Sequence, residues 1–344
     1  MAHRAGYGSR VRVRLLDLVA CPRCGSGPFA LTATQEEGPE IVEGRLVCPG
    51  CGATFPIHGG IPRLLPSPAA VSDDAQRTVD RFGKQWNDFD FIGPHYEKQF
   101  LGWISPNTSE SFRDQIVLEG GCGKGRHSAL MARWGAKDVL AIDLGSAVEA
   151  AYRNTRSHPN VHVIQADLFH LPVKEKSVDT AFSVGVLHHT PDPRGAFDQL
   201  VSRVRPGGRA IAWVYGAENN EWITRYVDPI RQRVTSHLPH RALRSLATLP
   251  AMAVYAASRG IYAPLQKGPL GVVGKRLFYQ AYMTHLAAFP FPEVHSIVHD
   301  HLTPALAEYI KRGDFEAWFA DLENATIGWH NENSWRGTGY VKKP

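Results

Sequence analysis

Between Gln115 and Gly216 the chain alternates short apolar runs with longer segments patterned for helices, and this alternation constrains the fold more than any other feature. "IVLEG", "DVLAID", "VHVIQAD", "VDTAFSVG" and "RAIAWVY" read as buried strands, being short, nearly continuous and rich in β-branched residues. "RHSALMARWG", "SAVEAAYRNTR" and "PRGAFDQLVSRV" read as the helices between them, the first ending at a glycine and the last at "RPGG". Parallel strands need helical crossovers of this kind. The expected fold class is therefore α/β: a doubly wound, Rossmann-like sheet with ligands at the carboxyl ends of its strands.

The first strand of the series runs into Glu119 and then into "GGCGKG". Gly121, Gly123 and Gly125 let the backbone approach a ligand closely, and Cys122 is small for the same reason, with no chemistry assigned to it. A loop built for a dinucleotide would present G-x-G-x-x-G to a pyrophosphate. Here a carboxylate precedes the glycines. It would repel a pyrophosphate, but it suits an ammonium or a chain of bound waters. Asp143 with Leu144 ends the second strand, Asp167 with Leu168 the third, and Gly185 the fourth. Asp143 is expected to accept ribose hydroxyls, and Asp167, beside the Leu168 amide, to take an adenine amino group. Three carboxylates ending successive strands would be desolvated charges without such partners. S-adenosylmethionine has the required ammonium and no phosphate.

In order, "VLEGGCGKGRHS", "VLAIDLG", "VIQADLFHLP", "DTAFSVGVLHHTPDP" and "VRPGGRAIAWVYG" resemble the motifs of class I methyltransferases, closest to the ubiquinone/menaquinone-type small-molecule branch. The resemblance implies in-line transfer of a sulfonium methyl group to a nucleophile. Such transfer needs orientation and desolvation first, and a base only if the nucleophile arrives protonated. His188 and His189 follow the fourth strand. They read either as bases for a phenol, hydroxyl or activated carbon, with His188 preferred, or as a segment lining the cofactor site through its backbone. No Asn/Asp-Pro-Pro-Tyr/Phe follows that strand, a departure from the amino-methylating enzymes of nucleic acids.

Upstream, Cys21 and Cys24 form one C-x-x-C and Cys48 and Cys51 a second, with a hairpin pattern between them. Two such knuckles place four thiolates around Zn²⁺, and a closed four-thiolate site is structural. A unit this small lacks a core of its own, whereas structural zinc contributes about 10–16 kcal/mol of coupled folding energy. His58 is the competing ligand and reads as a solvated loop histidine. "CPRCGSGPFAL", "EIVEGRLVCPGCGATFPIHGGIPRLL" and the spacing between them resemble the zinc-ribbon modules of methyltransferase-activator subunits and of many bacterial methyltransferases. That resemblance implies docking or scaffolding.

The expected organisation is a zinc-ribbon module over 1–68, a linker and helical cap over 69–110, a methyltransferase domain over 111–216 and 301–344, and a helical insertion over 217–300. "RFGKQWNDFDF" resembles a stretch that precedes the catalytic domain in such enzymes, and Phe82, Trp86 and Phe89 read as core packing or as a cap closing over the cofactor. The insertion reads as a substrate lid, with contact to a lipid surface as the second reading. Trp335 and Arg336 either reach the acceptor pocket or form a surface pair.

A net charge of +5 without a lysine/arginine run counts against a nucleic-acid partner. The N-terminus "MAHRAGYGSRVRVRLLDLVA" lacks a cleavage site, so the expected location is the cytoplasm. The reading is methyl transfer to an O or C atom of a small metabolite. The expected partners are that acceptor and a protein at the zinc ribbon, with membrane contact the less favoured option. The alternatives are a zinc-ribbon-containing RNA methyltransferase and a cofactor-binding scaffold without turnover.

Overall fold

The computed structural model describes residues 13–38, 40–66, 73–266 and 271–344. The N-terminal stretch read for a leader lies mostly outside these residues, as does the linker core at 67–72. A short helix, α1 (Val13–Leu18), leads into the cysteine-bearing module of β1 (Ala30–Glu37), β2 (Glu40–Val47), β3 (Thr54–His58) and β4 (Ile61–Leu64). These four strands form an antiparallel meander. Within the segment assigned to linker and helical cap, helix α2 (Asp73–Asp88) begins at Asp73. Asp73 and Asp74 lie in its first turn, where acidic side chains complement the helix dipole.

After α3 (His95–Ile104) the strand–helix alternation follows: β5 (Ile116–Gly120), α4 (Arg126–Arg133), β6 (Asp138–Asp143), α5 (Ala147–Thr155), β7 (Val161–Ala166), β8 (Val178–Val184), α6 (Pro193–Arg203) and β9 (Val204–Tyr215). "RPGG" does not separate α6 from the next strand as expected. β9 starts at Val204 and carries those residues, with an irregular register against β8 at Val178–Thr180. The insertion is helical: α7 (Asp228–Arg233), α8 (His240–Ala257), α9 (Ala263–Leu265), α10 (Gly271–Gly274), α11 (Gln280–Leu286) and α12 (Phe291–Leu302). Helix α13 (Arg312–Trp318) and the hairpin β10 (Glu323–His330) and β11 (Ser334–Tyr340) close the chain.

The eleven strands of the described residues join one sheet, in the order β1-β2-β3-β4-β7-β6-β5-β8-β9-β11-β10. Strands β5 to β9 pair in parallel, and β11 adds antiparallel to β9. The join at the other edge has no counterpart in the sequence reading. β4 pairs in parallel with β7, Arg63 opposite Gln165 and Leu64 opposite Ala166. The pairing covers an edge strand whose open backbone groups would otherwise invite other chains. Side chains reinforce it. Arg63 donates to Gln165 at 3.0 Å and to Glu149 at 2.6 Å, and Tyr152 donates to Glu40 at 2.6 Å. One buried cluster runs from Leu15, Phe29, Leu46, Phe55 and Ile57 in the module to Leu140, Ile142 and Ile164 in the parallel strands.

Candidate functional site

The carboxyl ends of the parallel strands open into a cavity of about 460 Å³. Gly121, Cys122 and Gly123 after β5, Asp143 and Leu144 after β6, Asp167 and Leu168 after β7, and Gly185 after β8 all line it, whereas Gly125 lies outside the lining at the head of α4, against Ala151 and Thr155. Phe82 and Trp86 of α2 form one wall, and α11 and α12 face the strands across the space through residues such as Tyr282, Leu286, Glu293 and Asp300.

The loop geometry requires its glycines. Gly121 and Gly123 adopt φ of +78° and +52°, a region unfavourable to L side chains. A Cβ at Gly121 would fall 2.4 Å from the Val186 side chain, and one at Gly123 would come within 3.3 Å of Trp86 Nε1. Asp143 holds this loop directly. One carboxylate oxygen accepts from Gly123 N at 2.9 Å and the other from Gly145 N at 3.0 Å. Burial pushes its carboxyl up and those amides oppose the shift. Asp167 accepts from Phe169 N at 3.0 Å and meets His170 Nδ1 at 2.9 Å, capping the 3₁₀ turn Leu168–His170. Each aspartate keeps acceptor capacity toward the cavity.

Glu119 takes a different position from the one its place in the strand suggested. It is buried behind the loop and does not line the cavity. Its carboxylate accepts from the Ser128 hydroxyl and lies 3.0 Å from His127 Nδ1, both on α4. Burial pushes its carboxyl up to about 8. A ligand ammonium would meet the loop backbone in front of Glu119, whose carboxyl, largely protonated at neutral pH, braces α4 from behind. Cys122 is buried beside it, and burial raises its thiol well above the ordinary range.

Two cations of the same loop were not singled out in the sequence. Lys124 donates to Phe89 O at 2.8 Å and to Tyr96 Oη at 2.9 Å, and its ammonium lies 4.6–5.3 Å from the ring centres of Phe91, Tyr96 and Trp86. Burial lowers it to about 7. Arg126 sits 4.9 Å from the Tyr96 ring centre and 5.4 Å from that of Trp103. Both cations line the cavity next to Glu293, which accepts from Tyr96 Oη. Arg126 and the roughly half-protonated Lys124 beside one carboxylate leave this end able to receive a ligand carboxylate, which S-adenosylmethionine carries on its amino-acid end. Glycine loop, strand-end aspartates and cations thus fit the chemistry of that cofactor.

The two histidines part company. His189 lines the cavity, packs against Phe82 at 5.0 Å, and its Nδ1 lies 2.9 Å from Leu306 O, which can only accept. His189 is held at about 3, chiefly by burial, and so stays neutral. His188 is fully buried outside the cavity lining, its ring 4.3 Å from that of Tyr215, and neither ring nitrogen has a hydrogen-bond partner among the described residues. Beside His189 the cavity presents Tyr215 from β9 and Asp300 from α12. Asp300 accepts from Gln85 Nε2 at 3.1 Å and from Tyr215 Oη at 3.4 Å, and burial pushes it up to about 6. Glu293, Ile297 and Asp300 fall at i, i+4 and i+7, so two acids on one face of one helix were the available signal. Trp335 and Arg336 do not line the cavity. Trp335 donates to Glu218 at 2.9 Å and Arg336 to Gly102 O at 2.5 Å, while the hairpin supplies Asn331 and Asn333.

At the far end of the sheet, the sulfurs of Cys21, Cys24, Cys48 and Cys51 all lie within 4.8 Å of one another. Cys21 and Cys51 are 3.7 Å apart and Cys24 and Cys48 3.5 Å. A tetrahedron with Zn–S bonds of about 2.3 Å has S···S edges of about 3.8 Å, so the four thiolates fit structural zinc. The His58 ring instead meets Glu43 at 3.2 Å, largely in solvent.

Comparison with known proteins agrees with this geometry. Residues 118–212 match the model of a family described as "Methyltransferase domain", and residues 12–60 one described as "Trm112p-like protein". A tRNA U34 carboxymethyltransferase of Pseudoalteromonas atlantica is 32% identical over 115 residues, covering 33% of this chain and 35% of that protein. A tRNA (carboxymethyluridine(34)-5-O)-methyltransferase of Arabidopsis thaliana is 27% identical over 139 residues, covering 39% and 33%. A solved complex of the Haloferax volcanii Trm112 methyltransferase activator with a methyltransferase matches at TM-score 0.35 and 21% identity, over 46% of this chain and 68% of that one. The chain spans about a third of the length of the two curated relatives just named. It carries a class I S-adenosylmethionine-type methyltransferase domain behind a Trm112p-like module.

These relatives overturn two expectations. Their names point to tRNA, so neither a small metabolite as acceptor nor the case against nucleic acid stands, and the quinone-type branch gains no support. The physical fault lay in using a chain-wide charge of +5. Binding to a polyanion depends on a local basic face, which an average over the whole chain cannot register. Among the described residues no helix is long and apolar enough to cross a membrane.

Proposed function

We propose that the protein is an S-adenosylmethionine-dependent methyltransferase that modifies tRNA, acting on a single nucleotide drawn into the cavity between the strand ends and α11–α12. The observation that carries the enzymatic part is the convergence on one cavity of Asp143, Asp167 and the glycine loop with the half-buried pair Asp300–Tyr215. The tRNA part rests on the two relatives, which share uridine 34 as the named target. A cavity of about 460 Å³ does not admit a folded RNA, so the acceptor nucleotide would have to be extruded, at the usual cost of a few kcal/mol in unstacking.

The bound cofactor supplies a sulfonium methyl group. Asp143 holds the ribose, Asp167 and the Leu168 amide the adenine edge, and Lys124 and Arg126 the amino-acid carboxylate, while Phe82 and Trp86 keep water from one side. Desolvation and alignment do most of the work, because an anionic nucleophile loses its hydration on entry. Where the nucleophile arrives as O–H, Asp300 accepts the proton. It is ionised at neutral pH, half-buried, and already joined to Tyr215. His189 is too weak a base for that task and serves as a neutral wall. On this reading the zinc ribbon is a fixed part of the scaffold with a surface for a protein partner.

The test is transfer of labelled methyl from S-adenosylmethionine to tRNA isolated from cells lacking the protein, followed by digestion to nucleosides. A labelled nucleoside is expected, lost in Asp143→Ala. Cofactor binding without label in any tRNA fraction would defeat the tRNA assignment.

A further inference from the structure

The insertion between β9 and α12 departs in composition from the rest of the chain. Residues 222–292 hold nine Lys and Arg against a single acid, Asp228, while the whole chain is only +5, so everything outside this segment is net negative. Charge is therefore segregated onto one stretch. The same stretch exposes apolar side chains where a folded protein would normally cover them. Of twelve large hydrophobic residues exposed among the described ones, ten lie between Trp222 and Phe278.

Their spacing is regular. Trp222, Tyr226, Ile230 and Val234 recur every fourth residue along the helical stretch that includes α7, exposed by 37%, 61%, 56% and 51%. On α8, Leu246, Leu249 and Met252 recur every third residue at 51%, 75% and 54%, opposite the buried row of Leu243, Ala247 and Ala251. Phe278 joins the end of the first row, 5.8 Å from Trp222. Exposed Arg225, Arg233, Arg241, Lys275 and Arg276 accompany these rows, and none has an ion-pair partner among the described residues. Helix α8 is thus two-sided, with one apolar row packed inward and a second facing out, while α7 turns the Asp228–Arg231 pair inward and its apolar row outward, both beside unpaired cations.

We propose that the insertion, from Trp222 to Phe278, is a membrane-docking face that seats the protein on an anionic lipid surface. Charge selects the occupant first. A second copy of the chain would set cations against cations, whereas an anionic leaflet attracts unpaired Lys and Arg. The apolar rows select it further. RNA would satisfy the cations but offers nothing to bury Leu249, Met252, Ile230 and Val234. A bilayer takes aliphatic side chains into its acyl boundary and aromatic ones such as Trp222 and Tyr226 at the headgroup level. No helix among the described residues is long and apolar enough to cross the bilayer, so in this arrangement the protein lies on it. The inference holds whichever acceptor is methylated.

The full chain is floated with vesicles of phosphatidylcholine and with vesicles of phosphatidylcholine mixed with phosphatidylglycerol. The expected result is binding to the mixed vesicles, weakened by high salt. Leu249→Glu/Met252→Glu should weaken it by roughly tenfold or more, and Arg233→Glu/Lys275→Glu should remove the preference for anionic lipid. These positions are exposed, so melting temperature and cofactor affinity should stay at wild-type values. Quenching of wild-type tryptophan fluorescence by brominated lipid provides a reading that needs no variant. Wild-type protein left at the bottom of the gradient overturns the proposal, and so does a Leu249/Met252 variant that floats like wild type. Binding of an RNA oligonucleotide that depends on Arg233 and Lys275, with no vesicle binding, would make this an RNA surface and likewise overturn it. A concentration-dependent dimer that Leu249→Glu/Met252→Glu converts to monomer, with no vesicle binding, would do the same.

Discussion

Asp300 illustrates how one carboxylate can be costly to the fold and useful to the site. Its folded-state value of about 6 stands above the value of about 3.9 expected in the unfolded chain. Between those values the folded state binds the extra proton, so stability falls as pH rises from about 4 to about 6, and the loss is complete above 6. Asp300→Asn keeps one acceptor oxygen, for Gln85, and turns its NH2 toward the Tyr215 hydroxyl, which can accept from it, but carries no charge. It should stabilise the protein at pH 7.5 by on the order of 1–2 kcal/mol and leave it unchanged below pH 4, as read by denaturant titration at both pH values. With an O–H acceptor the same variant should lose about 100-fold or more in kcat, and the wild-type rate should rise through pH 6. Asp143→Ala removes a carboxylate that also ties Gly123 to Gly145, and calorimetry should find cofactor affinity reduced about a hundredfold or more. Asp143 and Asp167 were legible because a strand end fixes where its last side chain lies. Glu119 sits at an equivalent place, yet Ser128 and His127 draw it away, and a pattern of strand ends cannot display a partner nine residues on. Asp300 was not legible because it reaches the site from α12, more than 130 residues after Asp167 in the chain.

Strands and helices of the parallel sheet stood out in the sequence because each run is patterned by its own burial. The pairing of β4 with β7 did not, since parallel pairing between distant segments leaves no local mark beyond an apolar run. Helix α2 was half legible. The aromatic residues were visible at helical spacing, but their two fates were not distinguishable: Phe82 and Trp86 of α2 line the cavity, stacked 6.5 Å apart, while Phe89, just past its end, is core under Arg244 and His299. An element that closes over a ligand should be dispensable for folding and needed for binding. Trp86→Ala is therefore expected to weaken cofactor affinity by about tenfold, roughly 1–2 kcal/mol of lost ring contact, with little change in melting temperature. A loss of melting temperature without a loss of affinity would return α2 to a packing role.

At the scale of the whole molecule, the zinc ribbon raises the question of whether it unfolds alone. A module hung on a linker would melt independently of its neighbour, giving two transitions, and removing its metal would touch only the first. Here the sheet is unbroken from β1 to β10, and a single buried cluster joins Phe29, Phe55 and Ile57 to Leu140 and Ile164. Backbone bonds tie the two parts again where Ala20 N donates to Pro172 O and Lys174 N to Leu18 O. Opening the ribbon would expose the β7 edge and the apolar side chains beneath it, so the free energy of the metal site is shared by the neighbouring strands. Metal removal should therefore destabilise the methyltransferase half as well. Calorimetry of the metal-loaded protein is expected to show one main transition. Chelation, or Cys48→Ser, should move that whole transition down by roughly 10 °C or more and weaken cofactor binding at temperatures where the loaded protein still binds. If chelation instead splits off a small early transition and cofactor affinity stays unchanged, the two parts fold separately and the strand pairing between β4 and β7 contributes little.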